Sequence, residues 1–322
     1  MNRRSFMARC AGLSLSAKAH DAFAQSGPLT KIIFPFAAGG SGDTLCRILA
    51  QNISQPLDRK IIVEDRNGGD GLIGIKSVKN SAPDGTTILV TTGPTMYLLP
   101  MVETNPSFDR DKDFVPVSLL ARFEFCIAVA PSVGVKDFKE FVDWAKANPG
   151  KTTYGVPSSG TIPHFTGVRL ADLLGVPMTR VGYRGTTPII NDLIGGHVPF
   201  AVVTTADAIS QHRAGGIRIL AVSSAARSPF LPDVPTLRES GVDLVADACY
   251  GLWLPAGSPP DFARALSGAV MAALGKPEVK DKLFSMGLIP VGSTPEALTQ
   301  ELAANTAFWQ PIVKATGYKI TN

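Results

Sequence analysis

Histidine and cysteine are scarce, with four of each in 322 residues. Cys10 and His20 fall in an N-terminal stretch that reads as removable, so three of each remain. No H-E-x-x-H, H-x-x-E-H or paired C-x-x-C spacing connects them, and neither a structural nor a catalytic zinc is indicated. Three cysteines cannot build a disulfide framework. Cys46, Cys126 and Cys249 each sit in an apolar setting and are expected as small buried hydrophobes. Charge is also thin, at 18% of residues with a formal net charge of +4. Without residues 1–24, 27 of the 31 basic and 26 of the 27 acidic residues remain, a net of +1. With no basic stripe interleaved with aromatics, nucleic acid is not an expected partner. No run approaches the roughly 20 apolar residues that span a bilayer, so no permanent membrane helix is expected. Aromatics make up 7%, and Trp144, Trp253 and Trp309, in apolar surroundings, are expected in packing rather than as a stacking platform.

What is present begins with Arg3-Arg4 ahead of Phe6, small residues over 11–17, and Ala22-Phe-Ala24 before Gln25. That order reads as an export signal over residues 1–24, by the twin-arginine or the general route. Lys18, His20 and Asp21 interrupt its apolar centre, and the alternative is an unprocessed polar arm.

Four segments follow strand-like runs and precede helix-like ones: Phe34-Pro-Phe-Ala-Ala-Gly-Gly-Ser-Gly-Asp43, Thr91-Thr-Gly-Pro-Thr95, Gly155-Val-Pro-Ser-Ser-Gly-Thr-Ile-Pro-His164 and Tyr183-Arg-Gly-Thr-Thr-Pro188. Small residues let backbone N–H groups approach a ligand, and the unpaired donors of a helix's first turn carry partial positive charge toward it. A small carboxylate or phosphate is the first ligand class to consider. The first loop lacks the lysine of a phosphate loop and the ordered G-x-G-x-x-G of a dinucleotide site, so nucleotide binding is weakly supported.

Strand and helix patterns alternate from residue 31 to 91, which predicts a mainly parallel sheet with helices on both faces. Two apolar runs back to back, 115–120 and 125–130, are long for one strand and predict passage into another lobe. The alternation restarts over 138–223. A second long extended run, 242–254, carries the chain back, and helical patterns near 261–275, 279–286 and 295–316 close the first lobe. The predicted organisation is the signal at 1–24, one lobe from 25–123 with 247–322, and the other from 124–246. Two lobes joined by two crossings make a cleft able to desolvate a small ligand.

Several segments together resemble one family: the 34–43 loop, Ala82-Pro-Asp-Gly85, Asp113-Phe-Val-Pro-Val-Ser-Leu-Leu-Ala-Arg122, Tyr183-Arg-Gly185, Asp192-Leu-Ile-Gly-Gly-His-Val198, Pro232-Asp-Val-Pro-Thr236 and Gly251-Leu-Trp-Leu-Pro-Ala-Gly257. In consistent order from Lys31 to the C-terminus, they are similar to the extracytoplasmic receptors of tripartite tricarboxylate transporters, also called Bug receptors. The resemblance implies a type II periplasmic-binding-protein fold, two α/β lobes closing over a di- or tricarboxylate, an amino acid or an aromatic acid, with no cofactor. It also implies a periplasmic location and a membrane permease or a sensor protein as partner. A monomer is the default for such a receptor. By position, first-lobe contacts would come from Phe36, Ala37, Ala38, Gly39, Gly40 and Ser41 and from Thr92-Gly93, with Phe36 as an apolar wall. Second-lobe contacts would come from Ser158, Ser159, Gly160, Thr161 and His164, with Tyr183 and Gly185 nearby and Asp207 at the back. The chain departs from the family pattern at Cys249, Pro199, Thr204-Thr205-Ala206 and Asn67-Gly-Gly-Asp70.

Read on its own chemistry, Asp43 is placed to cap the helix after the glycine loop, or to accept from the amino group of an amino acid. Arg184 is a candidate ion-pair partner, yet adjacent strand residues point to opposite faces, so a Tyr183 in the cleft turns Arg184 away. Ser158, His164 and Asp207 are the residue types of a hydrolytic triad. Pro157-Ser-Ser-Gly160, however, is not the G-x-S-x-G elbow that exposes a nucleophile, and His164 is expected to donate to ligand or backbone at its helix start. The competing reading is an exported hydrolase or isomerase using Ser158 or Ser159 with His164.

Overall fold

The computed structural model describes residues 27–183 and 185–320. The expected export signal and Arg184 lie outside the described residues. Chain order is β1 Leu29–Phe34, α1 Ser41–Ile53, β2 Lys60–Asp65, α2 Leu72–Lys79, β3 Thr87–Thr92, α3 Gly93–Val102, α4 Arg110–Asp113 and β4 Phe114–Val129. It continues through α5 Phe138–Ala147, β5 Thr153–Val156, α6 Ile162–Leu174, β6 Thr179–Gly182, α7 Thr186–Ile194, β7 Phe200–Thr204, α8 Thr205–Arg213 and β8 Arg218–Val222. The last elements are β9 Asp247–Pro255, α9 Pro260–Gly275, α10 Pro277–Ser285, β10 Ile289–Pro290 and α11 Pro295–Thr316.

The strands form one curled sheet in the order β2-β1-β3-β9-β4-β7-β5-β6, with β8 and β10 also paired to β4. Strands linked through helices pair parallel, β1 with β2 and β3, and β5 with β6 and β7. This is the α/β pattern that the alternation predicts. The two long runs add antiparallel ladders, because they travel in opposite directions between the halves. The apolar runs 115–120 and 125–130, all but Ala130 of the second, fall within one 16-residue strand, β4. Its residues 114–124 pair with β9, and its residues 125–129 pair with β7 and β8. One strand is thus shared by both halves of a two-lobed α/β fold.

Helix α1 shows how sequence positions the site. Leu45, Leu49 and Ile53 recur at helical spacing, are fully buried, and dock the helix beneath the sheet so that its start stands at the strand's carboxyl end. The larger apolar core runs along β4 from one half into the other, taking in Ile32, Leu49, Trp253, Phe165 and Phe200. A smaller one gathers Ile189, Leu193, Val203, Ile219 and Val222 in the second lobe. Cys46, Cys126 and Cys249 are buried and unpaired, and Trp253 and Trp309 are core residues, as their settings predict. No helix of the described residues is long and apolar enough to cross a membrane.

Candidate functional site

A cleft of about 490 Å3 opens between the lobes. Its wall includes Gly40, Thr92, Thr161, Gly185 and Thr204, which are the N-cap residues of α1, α3, α6, α7 and α8. Five helices therefore aim their first-turn donors at one volume. Gly40 and Gly185 have no side chain to cap with, and those of Thr161 and Thr204 make no capping bond. Thr161 is a residue type suited to capping, yet its hydroxyl donates to the Ser158 carbonyl at 2.8 Å instead. First-turn N–H groups freed in this way, with the helix dipoles behind them, suit an anion.

The middle of the cleft is aromatic. Phe34 and Phe36 meet edge to face at 5.3 Å, and Phe123 tilts against Tyr250 at 4.9 Å and meets Phe125 edge to face at 5.7 Å. All five line the cleft. Alternation along the crossing strands puts them there: Phe123 and Phe125 share a face of β4, and Ala248 and Tyr250 share one on β9. Burial pushes the Tyr250 hydroxyl up to about 12, so it enters the site as a neutral group, 3.5 Å from Ser41 Oγ.

Of the residues expected from sequence, Phe36, Ala37, Gly40, Ser41, Thr92, Ser158, Ser159, Gly160, Thr161, Gly185 and Asp207 line the cleft, and Ala38, Gly39, Asp43, Gly93, His164 and Tyr183 do not. Asp43 is 4% exposed. It is not the N-cap, a position held by Gly40. From the first turn it reaches back to accept the Gly39 N–H at 2.9 Å, while its other oxygen faces Arg47 Nε at 2.8 Å. His164, 6% exposed, accepts the Gly160 N–H at Nδ1 at 3.1 Å, where donation was expected. Burial, with Arg180 nearby, pulls its pKa down to about 4. A neutral ring is what an acceptor at Nδ1 needs. The Tyr183 hydroxyl donates to Asp192 at 2.7 Å. Gly93 sits where a methyl would stand 2.7 Å from Cys249 Sγ, so Cys249 packs against the α3 start and does not line the cleft.

The serines that an enzyme reading would need are engaged elsewhere. Ser158 Oγ donates to Asp70 Oδ1 at 3.0 Å, and Ser159 Oγ accepts from Arg180. The His164 ring packs on Phe165 and Tyr318. Sequence reading missed Asp70, Phe123, Phe125 and Tyr250. The period-2 spacing of Phe123 with Phe125 was the available signal, whereas Asp70, in left-handed backbone at φ 53°, is placed by its glycine-rich loop and carries no motif. A larger groove, about 670 Å3, lies between α3, the 106–113 segment and α11. Its polar residues pair among themselves, Lys79 with Asp113 and Arg110 with Asp111, and the five N-caps do not line it.

Comparison with known proteins agrees with this geometry. Residues 45–318 match the Tripartite tricarboxylate transporter family receptor family. A UPF0065 protein of Agrobacterium vitis, from the TAR-I ttuE-ttuC' intergenic region, is 33% identical over 310 residues, covering 94% of this chain and 87% of its own. An R. palustris protein solved with adipate superposes with a TM-score of 0.82 at 28% identity, covering 91% of this chain and 98% of its own. The periplasmic binding protein BugD does so at 0.79 and 28%, with the same coverage. Fold and cleft together define a two-lobed solute-binding receptor. The chain belongs to the tripartite tricarboxylate transporter receptor family.

Proposed function

We propose that this receptor works outside the cytoplasmic membrane, capturing one small carboxylate between its lobes and presenting it, chemically unchanged, to the permease subunits of a tripartite transporter. In this reading the lobes are residues 25–123 with 247–322, and 124–246. The change of β4 partners after Glu124 supports that division. The convergence of five helix N-caps on one cleft carries the proposal. Hydrogen bonds to a charged group contribute about 1.5–3 kcal/mol each, so three or four such donors suffice for roughly micromolar binding. The adipate found with one structural neighbour supports a carboxylate as the anchored group, and the aromatic middle of the cleft suits the carbon body behind it. Docking on a permease favours a monomer. Calorimetric titration with di- and tricarboxylates, amino acids and aromatic acids is expected to show one site per chain and recovery of intact ligand. Turnover of a bound acid, lost on His164→Ala, would instead establish the hydrolase or isomerase reading.

A further inference from the structure

Charge is distributed unevenly in this cleft. Its acidic side chains are Asp70 and Asp207, and no lysine, arginine or histidine of the described residues lines it. Asp70 already receives the Ser158 hydroxyl. Asp207 stands in the first turn of α8, whereas α3, α6 and α7 have no acidic residue in theirs, and the first-turn Asp43 of α1 is spent on Gly39 and Arg47. The positive helix ends on most of the wall are thus left for an anion, while the α8 end carries a carboxylate of its own. The Phe123, Phe125 and Tyr250 rings line the same cleft. The Asp207 carboxyl lines the cleft in a residue that remains exposed, and partial dehydration raises its pKa against a single bond from Thr186. Its negative charge is short of compensation.

We propose that the ligand of this cleft bears one carboxylate and one protonated amine, the carboxylate at the helix starts and the amine at Asp207. The inference rests on the receptor reading above and names the ligand class for that site. A second carboxylate at the same place would face a like charge in a low-dielectric cleft, whereas an ammonium would neutralise it and donate to it.

The test uses matched acids of two to eight carbons and substituted benzoates, each as plain monocarboxylate, dicarboxylate, and α- or ω-aminated monocarboxylate. They are titrated calorimetrically into wild type, Asp207→Asn and Asp207→Ser, serine being well suited to a helix start. The expected result is an aminated acid bound at least tenfold more tightly than its plain and dicarboxylate counterparts. That preference should vanish in both variants, the aminated acid binding more weakly and, with the like charge gone, its dicarboxylate counterpart more tightly. A plain acid or dicarboxylate bound best by wild type, or an amine preference that survives both variants, overturns the amine assignment and leaves the receptor reading standing. Binding of no member of any series by the folded protein overturns both.

Discussion

Ser158 Oγ in the second lobe donates to Asp70 Oδ1 in the first at 3.0 Å, a side-chain bond that joins the two walls of the cleft across 88 residues of sequence. A bond between the two walls is independent of any ligand, so it adds to whatever the ligand contributes to closure. A net contribution of about 0.5–1.5 kcal/mol corresponds to a two- to tenfold change in affinity. Ser158→Ala is expected to weaken carboxylate binding by that factor and to enlarge the ligand-free protein in solution scattering. Asp70→Asn keeps an acceptor in a residue type that tolerates left-handed backbone, and should lose less. Unchanged scattering and affinity in Ser158→Ala would show that the bond does not hold the lobes.

Two glycines separate site from scaffold. A Cβ on Gly40 would meet nothing within 4 Å, and the residue lines the cleft with φ −81°. Gly40→Val should therefore leave the melting temperature within about 2 °C of wild type, as surface changes of under ~0.5 kcal/mol do, while abolishing binding. Gly160 has φ +75°, and a Cβ there would stand 3.1 Å from the Tyr318 ring. Gly160→Ala is expected to cost about 1–2 kcal/mol for the left-handed backbone alone. Its loss of binding would then come with a lower melting temperature, measurable by calorimetry.

The strand-helix alternation, the lobe-crossing runs and the glycine loops are all local patterns, and local patterns survive in a sequence. The loops after β1, β3 and β5 accordingly fell at the cleft. Contacts that depend on which way a side chain turns did not. Gly39 in its loop, and Asp43 and His164 in the first helical turns that follow such loops, sit in the right segments, but each is consumed by a bond four residues away, a choice made by packing around the ring and the carboxylate. Asp70 is brought to the cleft by the left-handed turn of its glycine-rich loop and Tyr250 by long-range register, opposite Ala121 on β4, and the segments quoted around them do not say which side chain turns inward.

Glu301 on α11 holds Arg122 on β4 by two bonds of 2.7 and 2.9 Å, with Asp247 further off at 3.8 Å. The guanidinium keeps the Glu301 carboxyl below its ordinary range. A depressed folded pKa gives stability that is present above the unfolded value and lost as pH falls through the folded one. Arg122 is about one third exposed, which screens the pair, so Glu301→Gln should cost only about 1 kcal/mol at pH 7. Urea unfolding curves of wild type and variant should converge in acid. A gap independent of pH would assign the loss to packing.

Glu124 has the opposite sign. At the point where β4 changes partners it stands opposite Asp247 on β9 and is 4% exposed. One oxygen accepts from Ser224 at 2.6 Å, and the Ser228 hydroxyl also favours the ionised form, though less than burial opposes it. Burial raises its pKa, with Asp247 adding to the effect. A carboxyl that holds its proton more tightly when folded makes stability fall as pH rises from the unfolded pKa to the folded one, and the deficit persists above. Glu124→Gln keeps an acceptor for Ser224 and removes the like-charge opposition across the strands, worth about 0.2–1 kcal/mol. The variant is therefore expected to melt higher than wild type at pH 7, with the advantage shrinking as the wild-type carboxyl protonates in acid. Destabilisation at pH 7 would mean that the ionised carboxylate is compensated at the lobe crossing after all, and that the two crossing strands are held by its charge rather than strained by it.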